Sequence, residues 1–158
     1  MTRCLQIAAA VLFAVLPSVA IAQPAQSSDK PLATRELDVD GVVAEVIESV
    51  RKDGILTVRV RFRNNSDKPA KLKLVDAQGY VHTYISAGNT KYPILTDTGG
   101  QQVATPRDGG GGLEPTIKPK GTWTWWARFP APPAGTKGYS LYFKVGPPID
   151  DIPILDKP

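Results

Sequence analysis

The stretch "ILTVRVRFR", residues 55–63, alternates apolar and polar side chains from its second residue to its last. One parity holds Leu56, Val58, Val60 and Phe62, and the other holds Thr57, Arg59, Arg61 and Arg63. Because successive side chains of a β-strand point to opposite faces, this pattern predicts a strand with one buried face and one basic face turned to solvent.

Short alternating stretches occur on both sides of it, separated by turn signals such as Lys52-Asp53-Gly54 and "NNSDKP". The predicted strands cover residues 41–49, 55–63, 70–76, 80–86, 122–129 and 138–145. Unbroken alternation in the first would place Glu48 on the face of Val42 and Val46, and Ser49 on the other. No stretch shows a helical period, and the 15 prolines exclude most candidate helices. The sequence therefore predicts an all-β fold, a two-sheet antiparallel β-sandwich.

All three tryptophans lie in "GTWTWWARF", residues 121–129. We predict that one parity of this strand is buried, namely Trp123, Trp125, Ala127 and Phe129. Trp126 falls on the polar parity with Arg128 and is predicted to point outward. In the last strand the inward residues are predicted to be Tyr139, Leu141, Phe143 and Val145. Tyr142 and Lys144 then lie outside.

The first 22 residues predict a secretory signal peptide. Arg3 gives a positive start, an apolar run covers residues 7–16, and Ala20-Ile21-Ala22 is a small-residue cleavage site. The run is too short for a membrane span, and Cys4 precedes it whereas a lipoprotein cysteine would follow it, so we expect no membrane anchor. We predict export to the periplasm or the extracellular space, with a mature chain that lacks cysteine.

One domain, residues 41–146, is expected after a flexible leader, 23–40, and it contains a glycine-rich insertion, 87–116. The whole chain has a net charge of +4, and loss of Arg3 leaves +3, too mild an excess for a nucleic-acid binder. The tail, 147–158, carries Ile149, Ile152, Ile154 and Leu155 among prolines. We predict that it docks on its own domain, and docking on a neighbour would give a weak homo-oligomer instead of a monomer.

The order of these segments carries a family resemblance. "DGILTVRVRFRNNSDKPAKLKLVDAQGYVHTY" (53–84) followed by "IKPKGTWTWWARFPAPPAGTKGYSLYFKV" (117–145) resembles bacterial secreted immunoglobulin-like domains of unknown function, a family similar to immunoprotective extracellular antigens. The resemblance covers most of residues 41–145. It implies an immunoglobulin-like sandwich that binds proteins or surface polymers, and it brings no catalytic motif. The insertion, the aromatic strand and the tail depart from the family.

Few residues suggest catalysis or metal binding. His82 is the only histidine, and its position in a predicted strand favours a structural role. Asp150 and Asp151 would point to opposite faces of a strand, so they are not expected to share one ion. "DVDGV" (38–42) lacks the spacing of a calcium loop, and Asn64-Asn65-Ser66 matches a glycosylation sequon but suits a turn better. We predict no enzyme, no cofactor and no metal.

The outward residues suggest a binding surface. The candidates are Arg59, Arg61, Arg63, Trp126, Arg128, Tyr142 and Lys144. Arginines beside exposed aromatics are typical of faces that contact proteins or anionic glycans, which predicts a non-catalytic binding or envelope-associated module. The alternative is a carbohydrate-binding module that stacks sugars on Trp126 and Tyr142, and a hydrolase is more remote. A solvated face with Trp126 shielded by Arg and Lys stems also explains the pattern.

Overall fold

The computed structural model describes residues 30–158, and the predicted signal peptide and residues 23–29 of the predicted leader lie outside this range. In chain order the elements are β1 (Ala33–Glu36), β2 (Val42–Lys52), β3 (Ile55–Asn64), β4 (Ala70–Lys71), a 3₁₀ helix (Tyr80–His82), β5 (Tyr84–Ala87), β6 (Thr90–Pro93), β7 (Thr116–Ile117), β8 (Thr122–Pro130), β9 (Gly138–Tyr142), β10 (Ile149–Pro153) and β11 (Leu155–Asp156). The prediction of an all-β fold is confirmed.

The first sheet has the order β1-β2-β3-β8 and is antiparallel, and β11 joins β2 in parallel. β2 and β3 form a hairpin around Asp53 and Gly54, whose φ angles are 49° and 74°. Two successive residues with positive φ make a two-residue turn that follows the twist of the strands, and Asp-Gly is a favoured pair there. The turn predicted at this position is confirmed.

A β-bulge in β2 reverses its alternation, because the pairing with β3 shifts between Val46 and Glu48. Beyond the bulge Ser49 lies opposite Val58 and is buried. Glu48 lies opposite Arg59 on the outside. The parity predicted for Glu48 and Ser49 is therefore wrong, since a single extra residue moves every later side chain to the other face.

The second sheet has the order β10-β9-β5-β6 and is also antiparallel. Its edge strand β10 comes from the predicted tail, whose Ile149, Ile152 and Ile154 are buried against the rest of the domain. Leu155 pairs with Val50 of the first sheet and remains 46% exposed. The tail is thus part of the sandwich and links its two sheets.

The core between the two sheets is rich in aromatic rings. Trp125 of β8 is fully buried, and its ring meets that of Phe143 edge-on with 4.8 Å between centroids. Phe143 also packs edge-on against Phe62 of β3 at 5.6 Å. Trp123 is only partly buried, where it stacks on Phe62 at 6.0 Å. Large rings that bridge the sheets supply the burial that a domain of this size needs.

The insertion is organised by two turns of the same design. One oxygen of Asp97 accepts the N–H groups of Gly99 and Gln101, and one oxygen of Asp108 accepts those of Gly110 and Gly112. The glycine three residues after each aspartate has a φ near 80°, which side chains rarely adopt. The same insertion buries Ile94, Ala104 and Leu113 in the core.

Parts of the predicted element order are wrong, and of the predicted strand 70–76 only β4, Ala70–Lys71, is formed. Residues 33–36 of the predicted leader form β1, which pairs with residues 43–46 of β2. The predicted strand 80–86 begins instead with the 3₁₀ helix, and the paired strand β5 starts only at Tyr84. Gly79, with a φ of 80°, turns the chain just before that helix. Short edge strands and local turns depend on long-range contacts that alternation does not report.

Candidate functional site

The outer face of the first sheet carries most of the outward residues predicted from the sequence. Trp126 of β8 lies directly opposite Arg59 of β3, and Arg128 lies opposite Thr57. Trp126 is half-buried and Arg128 is exposed. Trp125, which precedes Trp126, and Ala127, which separates the two outward residues, are fully buried. The parity predicted for β8 is confirmed, except that Trp123 is only partly buried. We call Arg59, Trp126 and Arg128 the tryptophan face.

The insertion holds the backbone of the tryptophan face from the free side of β8. The N–H of Trp126 donates to the hydroxyl of Thr105 at 2.9 Å, and the N–H of Thr105 donates to the carbonyl of Trp126 at 2.8 Å. The N–H of Arg128 donates to the carbonyl of Val103 at 2.9 Å. Because β8 is hydrogen-bonded on both sides, its backbone is held in place and the positions of its outward side chains are fixed.

The arginines of β3 are largely paired with carboxylates of β2. Glu45 accepts hydrogen bonds from Arg61 at 2.6 Å and from Arg63 at 2.9 Å. Burial opposes ionisation of Glu45, yet the hydrogen bonds from Arg63 and Arg61 hold the pKa of its carboxyl below the ordinary 4.5. Arg59 lies 3.5 Å from Glu48, in a more exposed pair. The face is therefore less basic than the run of arginines in the sequence predicts.

Arg128 differs from these arginines. Within residues 30–158 no hydrogen bond or ion pair of its guanidinium is present, and the side chain lines a shallow depression beside Thr57, Ile55 and Lys157. A planar guanidinium and a half-buried indole on the same outer face combine a directed donor with a large apolar surface. The guanidinium of Arg128 is therefore able to bind another molecule without first breaking an internal ion pair.

Tyr142 and Lys144 do not join this face, so the prediction of one continuous basic and aromatic surface is wrong. Tyr142 lies on β9 of the second sheet, and Lys144 follows it and pairs with Asp76. The two sheets pack with their apolar faces together, which leaves Trp126 and Tyr142 on opposite outer sides. A single sugar platform made of these two rings is excluded for the same reason.

Tyr142 instead stacks on Tyr84 of the neighbouring strand. The two residues are cross-strand partners, and their rings lie 4.5 Å apart with an interplanar angle of 13°. The ammonium of Lys91 sits 4.5 Å from the centre of the Tyr84 ring. Tyr84 was not singled out in the sequence. In the sequence Tyr84 shares its parity with the polar Ser86 and not with the apolar Ile85, and this pattern indicates an outward side chain.

The other groups considered for chemistry are dispersed. His82 is exposed in the 3₁₀ helix. Asp150 and Asp151 both reach the outer side of the second sheet, because a β-bulge with Asp151 at a φ of 55° interrupts β10, so the prediction that they diverge is wrong. Asp150 is engaged by Arg35 and Ser140. Across residues 30–158 no group of three or more His, Cys, Asp or Glu could hold a metal ion.

Asn64 serves the turn and not a glycan. Its side chain is fully buried, and its amide donates to the carbonyls of Lys68, Ile117 and Lys118. Its oxygen accepts the N–H and the hydroxyl of Ser66. An amide with all these bonds is closed to glycosylation in the folded protein, and the turn interpretation of Asn64-Asn65-Ser66 is confirmed.

Comparisons with family models, with curated proteins and with solved structures found no match. Over residues 30–158 no helix is long and apolar enough to cross a membrane.

Glu45 is the residue of this site for which the sequence gave the weakest indication. Its place among apolar residues of β2 gave no sign that two arginines of β3 would converge on it.

Proposed function

We propose that this protein is an exported, immunoglobulin-like, non-catalytic binding module that recognises a protein partner through the tryptophan face. The observation that carries the proposal is the half-buried indole of Trp126, which lies opposite Arg59 and on the same outer face as the unpaired guanidinium of Arg128. Tryptophan and arginine are the residue types that most often dominate protein interfaces, above all where they stand on a rigid element.

The charge of the face favours a protein over an anionic polymer. Glu45 neutralises part of the charge of Arg61 and Arg63, and Glu48 lies beside Arg59. A polyanion binds most strongly to an uncompensated basic surface. A face with paired charges, one free arginine and one large ring suits a partner of mixed polarity. An anionic surface polymer remains the alternative ligand of the same face.

The immunoglobulin-like assignment and export rest on the sequence. Two face-to-face sheets with an aromatic core are compatible with that family, and the resemblance of residues 53–84 and 117–145 suggests it. The signal peptide pattern in residues 1–22 supports a periplasmic or extracellular location. Burial of Ile149, Ile152 and Ile154 within their own domain supports a monomer over a homo-oligomer formed through the tail.

Capture from envelope extracts tests the proposal. Immobilised protein is compared with its Trp126→Ala and Arg128→Glu variants, and retained proteins are identified by mass spectrometry. We expect at least one protein to be retained by the original and by a Tyr142→Ala control on the opposite sheet, but lost from both face variants. If the original and all three variants retain the same proteins equally well, the tryptophan face is not the binding surface.

A further inference from the structure

Trp126 of the tryptophan face directs its backbone hydrogen bonds away from β3. Along an antiparallel pair every second residue points its N–H and carbonyl at the partner strand, and the residues between point them to the other side. Both groups of Trp126 bond Thr105 of the insertion, so its pairing with Arg59 of β3 is of the kind without backbone bonds. Thr105 is therefore the residue that holds the backbone of Trp126.

Thr105 holds Trp126 with its backbone and with its side chain. Its N–H donates to the carbonyl of Trp126 at 2.8 Å. Its hydroxyl accepts the N–H of Trp126 at 2.9 Å and donates to the same carbonyl at 3.3 Å. A hydroxyl is able to do both because it carries one donor hydrogen and two lone pairs. These bonds fix the strand at the point from which the indole projects.

The carbonyl of Thr105 is missing from this set because Tyr80 occupies it. Ala104 bridges Ala127 in antiparallel register, and in a regular ladder the next pair, Thr105 and Trp126, would exchange both N–H···O=C bonds. Only one of the two is formed. The hydroxyl of Tyr80 donates to the carbonyl of Thr105, and the threonine hydroxyl replaces that carbonyl as the acceptor for Trp126.

Tyr80 is suited to hold Thr105 in this arrangement. It lies in the 3₁₀ helix, is 4% exposed, and its ring centroid lies 6.4 Å from that of the buried Trp125. Burial raises the pKa of the Tyr80 hydroxyl, so it keeps its proton and remains a donor at physiological pH. A series of contacts thus runs from the core through Tyr80 and Thr105 to the outward Trp126.

We propose that Thr105 is a positioning residue of the tryptophan face and that Tyr80 acts through it, so that the orientation of the Trp126 indole depends on these two hydroxyls. This role rests on the proposed function for its consequence, since a face that recognises a protein binds more tightly when its indole is held in one orientation beforehand. Neither hydroxyl needs to contact the partner.

Amide hydrogen exchange read by NMR tests the support without any partner. Thr105→Val keeps the shape of the side chain but lacks the hydroxyl, and we expect the amide of Trp126 to exchange at least about tenfold faster in it. Thr105→Ser retains the hydroxyl and should stay within about threefold of the original. The amide of Arg128, which donates to Val103 of the insertion, is the internal control and should change less than about twofold.

The ¹H–¹⁵N signal of the Trp126 indole, identified by its absence from Trp126→Phe, reports the orientation of the ring. We expect it to shift or split in Thr105→Val and in Tyr80→Phe, and to keep its original position in Thr105→Ser. Ile152→Val, which weakens the core at β10, should leave it in place. This control separates positioning from a general loss of stability.

Capture from envelope extracts supplies the functional readout. A protein whose retention requires Trp126 should be retained at least about threefold less by Thr105→Val than by the original, and normally by Thr105→Ser. If no protein requires Trp126, the proposed function fails, whereas the exchange and indole signals still decide the positioning role. That role is overturned if Trp126 exchanges as slowly in Thr105→Val as in the original, if Arg128 loses protection equally, if the indole signal does not move, or if Thr105→Val retains such a protein normally.

Discussion

Trp125 and Trp126 are neighbours in β8, yet their indoles lie on opposite sides of the first sheet. Trp125 is 0% exposed and packs against Phe143, whereas Trp126 is half-buried opposite Arg59. Trp125→Ala should lower the free energy of unfolding by about 3–5 kcal/mol, because it leaves a large cavity in the core. Trp126→Ala should cost about 1 kcal/mol. Urea denaturation measures both, and equal losses would contradict the burial difference.

Glu45 makes the stability of the domain depend on acid. Its pKa is lowered in the folded state, so it stabilises the fold above the pKa of the unfolded chain, and this contribution is lost as the pH falls below the ordinary 4.5 toward the folded value. Glu45→Gln should cost about 1–2 kcal/mol at pH 7 and less at pH 3. Glu48→Gln, in a more exposed pair, is the control and should change little. A constant loss for Glu45→Gln from pH 7 to pH 3 would contradict the role of its charge.

Asn64 holds together the turn after β3 and the chain before β8. Asn64→Asp keeps the size of the side chain but turns a donor toward three backbone carbonyls into an acceptor, and we expect a loss of about 2–4 kcal/mol at pH 7. Asn65→Asp, at an exposed position, should stay within about 0.5 kcal/mol. Thermal unfolding distinguishes them. Similar melting temperatures for both variants would show that the amide is not needed.

The tail contributes to the core through particular residues. Ile152 is fully buried between the sheets, so Ile152→Ala should cost about 2–5 kcal/mol. Leu155, which is largely exposed in β11, should tolerate Leu155→Ala with a loss below about 1 kcal/mol. The same reasoning makes removal of residues 147–158 more damaging than loss of a peripheral segment, since it deletes an edge strand. Chemical denaturation measures the free energy of unfolding of the two point variants, and equal losses in both would contradict the placement of β10.

Alternation predicted the parts of the fold where one face of a strand is buried without interruption. β3 and β8 are such strands, and their buried and outward residues follow the sequence pattern. The same pattern failed where one residue changes the phase, as in the bulges before Glu48 and at Asp151. Nothing in a single sequence marks the position of a bulge, because the pairing strand decides it.

The residues of the candidate site were predictable from the sequence, but which of them lie on the same face of the protein was not. Trp126 and Arg128 share a strand, so their common face followed from parity. Tyr142 was assigned to the same surface because alternation tells which residues point outward and not which sheet they belong to. The neutralisation of Arg61 and Arg63 by Glu45 depends on cross-strand register, which alternation leaves open.

The tryptophan face as a protein-binding surface is tested most directly by site-specific photo-crosslinking in the producing cell. A photoreactive p-benzoylphenylalanine replaces Trp126 in one variant and Ser140, on the opposite sheet, in another. We predict one dominant crosslinked protein from position 126, none of it from position 140, and its loss when Arg128→Glu is added to the first variant. The same crosslinks from both positions, or none from position 126, would contradict the account.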